Sequence, residues 1–147
     1  LEELEHASEL VYIMDNCGEV VLDKLVVCEL KKRYPKLHIT AMVRGQDAVN
    51  DATMKDAKMV GLTEEVPVVT NNTSIQGVVF SKLTEEVKGL LDSADIIISK
   101  GQGNFESMHG CGKNIYYLFL CKCDMFSKRF GVERFHGMFV NENRVSL

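Results

Sequence analysis

The stretch that decides the fold is Leu10–Glu19, which reads LVYIMDNCGE. It begins with an apolar run of strand-forming residues and changes abruptly to a polar turn at Asp15. From Glu19 onward the apolar residues follow helical spacing, at Val20, Leu25, Val26 and Leu30. A buried strand that ends in a carboxylate, turns at Gly18 and enters a helix is typical of the first unit of an α/β fold. Ligands of such folds bind outside the carboxyl ends of the strands, so Asp15 and Asn16 are candidate site residues.

The alternation of strand and helix patterns continues along the chain. Further apolar runs predict strands at 37–43, 67–70, 95–99 and 115–120. Amphipathic segments predict helices at 51–60, 81–91 and 124–130, and a last strand is expected at 135–140, at a sheet edge. This order indicates an α/β, three-layer Rossmann-like sandwich, with a mostly parallel sheet and helices on both faces. The second, fourth and fifth strands are apolar throughout, as expected of strands covered on both faces.

Composition is that of an ordinary globular domain. The 147 residues suffice for one core, and 46% are hydrophobic and 26% charged. The net charge of −4 is spread without a basic stripe, and no apolar run has the roughly 20 residues of a membrane span, so neither nucleic acid nor membrane is expected as a partner. Residues 1–8 resemble the end of a helix that began upstream. We therefore interpret 1–147 as a single α/β domain that is a piece of a longer protein.

Cysteine usage indicates a reduced, cytoplasmic chain. The five cysteines are an odd count, and several lie within apolar runs. Cys121-Lys122-Cys123 lacks a second Cys or His pair at zinc-binding spacing, so we interpret it as the end of a strand. The four histidines share no ligand spacing, and none is expected to bind a metal.

Polar side chains follow four of the predicted strands. They are Asp15 and Asn16 after the first, Arg44 after the second, Asn71 and Asn72 after the third, and Lys100 after the fourth. Because the carboxyl ends of parallel strands share one edge of a sheet, these groups are expected to converge. With Asp51, the carboxylates and the amide of Asn16 would hold a hard divalent cation. Arg44 and Lys100 would hold a phosphate.

The segment Lys100–Glu106 supports the anion-binding part of this interpretation. Gly101 and Gly103 let the backbone approach a ligand closely, and the N–H groups at the start of a following helix would point toward it. The segment resembles the dinucleotide fingerprint G-x-G-x-x-G, but Glu106 replaces the third glycine and the segment follows the fourth strand, where the fingerprint follows the first. It is not a Walker loop, because its lysine precedes the glycines. Competing structural explanations are that Asp51 caps a helix and that the glycines form a turn.

Four motifs, in this order, resemble the damage-control phosphatases, formerly called domain of unknown function 89. The motifs are Asp15-Asn16-Cys17-Gly18-Glu19, Val43-Arg44-Gly45, Asn50-Asp51-Ala52-Thr53 and Ser99-Lys100-Gly101-Gln102-Gly103-Asn104-Phe105-Glu106. The chain resembles the metal-binding α/β domain of that family from Leu10 to Val140. It departs from the family at Cys17, where alanine is frequent. Relatives also carry an additional, mostly helical N-terminal part, and the resemblance implies that 1–8 are the end of this missing part.

The resemblance implies a divalent-metal-dependent phosphatase, a phosphomonoester hydrolase acting on small phosphorylated metabolites such as sugar phosphates and their damaged relatives. By motif, Asp15, Asn16 and Asp51 would be the ligands of a Mn, Ni, Co or Mg ion. Arg44 and Lys100 would contact the phosphate. Five further residues would line or brace the site, namely Glu19, Asn50, Thr53, Asn104 and Glu106.

Two chemical routes stay open on the sequence, attack by a metal-activated water and formation of an aspartyl-phosphate on Asp15. The absence of an Asp-x-Asp pair after the first strand weakens the second route. The rival function is a non-catalytic module that binds a nucleotide or metabolite phosphate at the same polar edge. A methyltransferase-like Rossmann domain ranks last, because it would require a glycine-rich loop after the first strand and an acid after the second.

Overall fold

The computed structural model describes residues 2–144 and consists of a six-stranded sheet between two layers of helices. The strands are β1 (Glu9–Ile13), β2 (His38–Val43), β3 (Val68–Thr70), β4 (Ile96–Lys100), β5 (Ile115–Leu120) and β6 (Gly137–Asn141). The helices are α1 (Glu2–His6), α2 (Val20–Arg33), α3 (Met54–Met59), α4 (Glu85–Ser93), α5 (Gln102–Met108) and α6 (Asp124–Phe130). The strand order is β3-β2-β1-β4-β5-β6, and every pair is parallel except β5 with β6. The predicted α/β sandwich is confirmed. Leu1 and 145–147 lie outside the described residues.

Local backbone chemistry moves two predicted boundaries. The helix predicted at 81–91 is divided into a short 3-10 turn and α4, because Thr84 has an extended backbone and its Oγ1 accepts a hydrogen bond from the N–H of Val87 at 3.4 Å. The last strand begins at Gly137 rather than 135, because Phe135 has a φ of 67°, which a strand does not accommodate. Within residues 2–144 no helix is both long enough and apolar enough to cross a membrane.

Both faces of β1 are buried, so this strand lies at the centre of the protein. Leu10 and Tyr12 belong to a hydrophobic cluster with α2 and α3. Val11 and Ile13 point to the opposite face and belong to a second cluster, with α4, α5 and α6. Because successive strand residues alternate between faces, an uninterrupted apolar run was needed to fill both clusters.

The expectation that β5 is covered on both faces is wrong. Tyr117 and Phe119 are buried in the second cluster, with α4, α5 and α6, but Leu118 and Leu120 are 38% and 47% exposed. Phe139, which pairs with Leu118 across the antiparallel ladder, is 63% exposed. On that face α2 and α3 pack over β1, β2 and β3, and α1 reaches the start of β5, where the hydroxyl of Tyr116 donates to Oε1 of Glu3 at 2.7 Å. Leu118 and Leu120, at the other end of β5, stay exposed. An apolar wall therefore lies open beside the carboxyl end of β4.

The side chain of Asp95, which precedes β4, forms hydrogen bonds to the backbone at the amino end of β1. Its Oδ2 accepts hydrogen bonds from the backbone N–H groups of Ser8 at 2.7 Å and Glu9 at 3.0 Å. These two bonds hold the pKa of the Asp95 carboxyl below its ordinary value. A lowered folded-state pKa means that the unfolded chain binds more protons as the solution becomes acidic. The stabilisation is therefore complete above the ordinary pKa and is lost as pH falls through the lowered one.

We expect Asp95→Ala to lower the Tm at neutral pH, and the Tm difference from the parent to shrink in acid. Thermal unfolding followed by circular dichroism across this pH range measures both effects. Asp92→Ala, which removes an exposed carboxylate paired with Lys113, is the matched control. An Asp95→Ala difference that stays constant with pH would show that the charge of Asp95 is not what holds the two strands.

Candidate functional site

Backbone hydrogen bonds bring Asp51 to the carboxyl end of β1. The N–H of Ala52 donates to the carbonyl oxygen of Asp15 at 2.7 Å, and Asn16 and Asp51 form an isolated antiparallel bridge. The same segment joins β2, because the N–H of Arg44 donates to the carbonyl oxygen of Ala52 at 2.8 Å. The residues predicted as metal ligands, Asp15, Asn16 and Asp51, are thus brought to one edge of the sheet although they are distant in sequence.

Asp15 is half-buried and lies directly over Gly101. A Cβ built on Gly101 would come within 2.1 Å of Cγ of Asp15, and the φ of Gly101 is +87°. Glycine is therefore required at this position by both contact and conformation. Burial raises the pKa of the Asp15 carboxyl, and the negative charges of Asp51 and Glu19 raise it further, beyond the smaller opposing effect of nearby cations. Negative charge is concentrated around Asp15.

Arg44 is buried, with only 3% of its surface exposed. Its Nε donates to Oδ2 of Asp51 at 2.5 Å, its Nη1 to the carbonyl oxygen of Gly77 at 2.7 Å and its Nη2 to Oδ1 of Asn104 at 2.8 Å. The buried amide of Asn104 in turn donates to the carbonyl oxygen of Lys100 at 2.6 Å. The guanidinium thus fixes the orientation of Asp51. The predicted phosphate contact by Arg44 stays a prediction.

Lys100 ends β4 with its ammonium group between two carboxylates. Its Nζ lies 2.6 Å from Oε2 of Glu19 and 2.8 Å from Oδ1 of Asp23. Burial alone would lower the pKa of Lys100, but the hydrogen bonds and charges of Asp23 and Glu19 outweigh it and raise the pKa above its ordinary value. Lys100 is therefore held as a cation.

Asp23 is a residue of this network that the sequence analysis missed. It accepts a hydrogen bond from the hydroxyl of Tyr12 at 2.8 Å as well as from Lys100. The available signal was its spacing, because Val20, Asp23 and Val27 form the buried face of α2. An acid among buried helix positions indicates a cationic partner in the core.

A cleft with a volume of about 160 Å³ opens at this edge between the ends of β1, β4 and β5. Asp15, Glu19 and Lys100 line it on one side. Leu118 and Leu120 line the other, so the uncovered face of β5 becomes one wall of the cleft. The cleft is thus polar toward the ends of β1 and β4 and apolar toward β5.

Lys122 lines the cleft and was not predicted from the sequence. It is exposed, lines the cleft after the end of β5, and its positive charge acts on Asp15 by lowering the pKa of that carboxyl. The backbone N–H of Lys122 donates to Oε1 of Gln102 at 2.8 Å, which fixes the loop. No ion pair of Lys122 occurs among residues 2–144. The available signal was its place two residues after the end of β5, between two cysteines that were considered only as a metal clip.

Several predicted site residues have structural hydrogen bonds. Oδ1 of Asn16 accepts from the N–H of Gly18 at 2.8 Å and caps the turn that leads into α2. Thr53 caps α3, with its N–H and hydroxyl both donating to Oδ2 of Asp56, at 2.8 and 2.6 Å. Asp51 is therefore not the cap of α3, and its carboxylate is left to Arg44 and the site.

Other predicted residues lie beside the cleft rather than in its lining. Asn50 is exposed, and its carbonyl oxygen accepts from the N–H of Cys17 at 2.8 Å. Gly103 and Glu106 are exposed on α5, where Glu106 accepts from the amide of Gln102 at 2.7 Å. Their predicted roles in lining or bracing the site stay predictions.

Asn71, which follows the third strand, holds two loops together through its side-chain oxygen. Oδ1 of Asn71 accepts from the N–H groups of Gly45 at 3.0 Å and Thr73 at 3.1 Å. A Cβ on Gly45 would lie 2.5 Å from Cα of Asn72, so this close approach requires glycine. The loop after β3 is thereby packed against the end of β2.

The donor set fits a hard divalent cation. Two carboxylates and an amide oxygen are the ligands that such ions prefer, and the mutual repulsion that raises the pKa of Asp15 is relieved by a cation between Asp15 and Asp51. Within residues 2–144 no three His, Cys, Asp or Glu residues are grouped as a metal site. An ion here would therefore need Asn16 and water as further ligands.

Comparisons with known proteins show the family of the chain. The family model described as damage-control phosphatase ARMT1-like domain matches residues 1–136. The chain is 37% identical over 133 residues to an uncharacterized protein of Methanocaldococcus jannaschii, covering 88% of this chain and 43% of that protein. It is 34% identical over 128 residues to a damage-control phosphatase of Archaeoglobus fulgidus, covering 86% and 44%.

The fold is also similar to a solved structure. A crystal structure of a DUF89 family protein from Pyrococcus horikoshii superposes with a TM-score of 0.89 at 28% identity, and the match covers 96% of this chain and 50% of that one. The chain spans less than half the length of the curated relatives it matches. With a family model that covers nearly all of its residues, the chain belongs to the damage-control phosphatase ARMT1-like domain family.

Proposed function

We propose that this domain carries the metal and phosphate sites of a divalent-metal-dependent phosphatase that hydrolyses small phosphorylated metabolites, sugar phosphates among them. The main support for the proposal is that Asp15, Lys100 and Lys122 line one open cleft. Asp51 is held beside this cleft by its bridge to Asn16, and its charge acts on Asp15. Relatives from Archaeoglobus fulgidus and Pyrococcus horikoshii bear the name damage-control phosphatase, which supports it.

In this proposal Asp15, Asn16 and Asp51 hold a Mn, Ni, Co or Mg ion, and of these Mg and Mn suit oxygen donors best. Bound there, the ion would supply Lewis-acid polarisation of a phosphate oxygen or a water of lowered pKa. Arg44 occupies one oxygen of Asp51 and leaves the other for coordination. Gly101 provides the space in which the carboxylate of Asp15 lies.

The two lysines have different parts in holding the phosphate. Lys122 is exposed at the cleft, and its charge is not neutralised by an ion pair among residues 2–144, so it is the first cation that an entering phosphate meets. Lys100 is fixed deeper in the cleft by Glu19 and Asp23. Phosphoryl transfer places negative charge on the equatorial oxygens, and positioned ammonium groups stabilise that charge.

A turnover screen tests the proposal against a non-catalytic phosphate-binding module. The purified chain is freed of metal, then assayed with p-nitrophenyl phosphate and with sugar phosphates in the presence of Mn, Ni, Co or Mg. Metal-dependent release of phosphate is the expected result. Binding of metal and inorganic phosphate without turnover in any of the four ions would reject the enzyme and favour the module.

We expect Asp15→Asn and Asp51→Asn each to lose the bound ion and to lower kcat/KM by more than about 100-fold, since even the outer partners of metal ligands contribute 10–100-fold. Metal content after dialysis and steady-state kinetics measure the two effects. Asp92→Asn, which changes an exposed carboxylate on α4, is the matched control. Full metal content in either site variant would contradict the ligand assignment.

Thermal unfolding separates loss of the site from loss of the fold in the Asp15→Asn variant. Because burial and neighbouring charges raise the pKa of Asp15, its ionised form disfavours the folded state at neutral pH. The metal-free variant is therefore expected to unfold at a Tm equal to or above that of the parent.

We expect Lys122→Met to raise KM about tenfold, the effect of losing one charge-assisted hydrogen bond to phosphate, and to leave metal content unchanged. Inhibition by inorganic phosphate should weaken in parallel. Lys32→Met, an exposed lysine in the last turn of α2 and at the opposite end of that helix, is the control. Unchanged phosphate inhibition in Lys122→Met would exclude Lys122 as a phosphate contact.

A further inference from the structure

Asp23 is a buried carboxylate whose presence the stability of the fold does not explain. Only 2% of its surface is exposed, and its Oδ1 receives both the Tyr12 hydroxyl and the Lys100 ammonium. Its Oδ2 is buried and has no hydrogen-bond partner among the described residues. Desolvating such a pair is costly, and apolar residues of similar volume often serve the core equally well or better. The role of the buried Asp23–Lys100 pair is therefore to be sought at the cleft, where Lys100 ends.

The two carboxylates that hold Lys100 differ in their access to solvent. The side chain of Glu19 is 46% exposed, whereas that of Asp23 is 3% exposed. Water and ligands therefore compete with Glu19 for the ammonium group, and solvent screening weakens the Glu19 pair. Asp23 lies beyond the reach of an entering ligand.

The hydroxyl of Tyr12 secures Asp23 from the other side. Tyr12 is on β1 and Asp23 on α2, so this hydrogen bond links two elements that pack directly on each other. Burial raises the pKa of Tyr12, and the charge of Asp23 raises it further, so the hydroxyl stays a donor. The position of the Asp23 carboxylate is thus set by the core and not by the cleft.

We propose that Asp23 is a positioning residue that anchors Lys100 for phosphate binding, and that Glu19 is the exchangeable partner that an anion displaces. A lysine ammonium has three N–H donors, and the two carboxylates occupy two of them. A phosphate dianion takes the third donor and then replaces Glu19, while Asp23 keeps the ammonium in place. The kinetic consequences rest on the proposed phosphatase function, but the anchoring of Lys100 does not.

Affinity for inorganic phosphate, measured by calorimetry on the metal-loaded chain, tests this division. If only long-range charge mattered, removing either carboxylate, Glu19 or Asp23, would tighten phosphate binding. We expect Glu19→Gln to tighten phosphate binding severalfold, because a competitor is removed. We expect Asp23→Asn to weaken it about tenfold, the loss of one anchored charge-assisted contact. Tyr12→Phe should weaken it in the same direction by a smaller factor.

A double-mutant cycle shows whether Asp23 acts through Lys100. In a Lys100→Met background, Asp23→Asn is expected to have no further effect on phosphate affinity. Asp92→Asn, which breaks an exposed pair with Lys113, is the control and should change nothing. Tightening of phosphate binding by both Asp23→Asn and Glu19→Gln, or an equal Asp23→Asn effect with and without Lys100, would overturn the proposal.

Reactivity of Lys100 gives a readout that needs no catalysis. At one fixed pH, Asp23→Asn is expected to raise the rate at which an amine-specific reagent modifies Lys100 about tenfold, equivalent to one pKa unit. Peptide mass spectrometry measures this rate, with Lys113 as the internal reference. Failure of turnover together with the expected reactivity rejects only the phosphatase. Normal kcat/KM and unchanged Lys100 reactivity in Asp23→Asn reject the positioning role.

Discussion

The buried guanidinium of Arg44 holds together the parts of the chain that form the candidate site. It joins the end of β2 to Asp51, to the loop at Gly77 and, through Asn104, to the first turn of α5. An unpaired charge at this depth would destabilise the folded state strongly, so these segments are constrained to stay together whenever the protein is folded. The positions of Asp15 and Asp51 relative to each other follow from this constraint and from the backbone bonds beside it.

The charge balance of the site explains why an ion and a phosphate belong together there. Asp15 and Asp51 repel each other, and Glu19 adds to the repulsion, while Arg44 and Lys100 are already neutralised by carboxylates. Without a cation, such an edge disfavours a phosphate dianion. A divalent ion between the carboxylates reverses that preference, because it neutralises them and adds an attraction of its own. Metal binding would therefore precede phosphate binding.

The sequence predicted the fold well because β1 and the strand–helix alternation leave few alternatives. The rule that polar groups follow strands also predicted that Asp15, Arg44 and Lys100 lie at one edge of the sheet, where the structure has them. The same rule applies to β5, but Lys122 was not predicted because only the flanking cysteines were considered there. It missed Asp23 because Leu25 and Val26, which helical spacing assigned to the apolar pattern of α2, are in fact exposed. Similarly, no pattern in the wholly apolar β5 indicates which face stays uncovered.

In the proposed site, oxygens of Asp15 and Asp51 bind one divalent ion at the carboxyl edge of the sheet. Anomalous diffraction from crystals grown with Mn²⁺ tests it most directly. We expect one anomalous peak within roughly 2–2.5 Å of an oxygen of each carboxylate. An anomalous peak bound elsewhere, or no peak at saturating Mn²⁺, would contradict it.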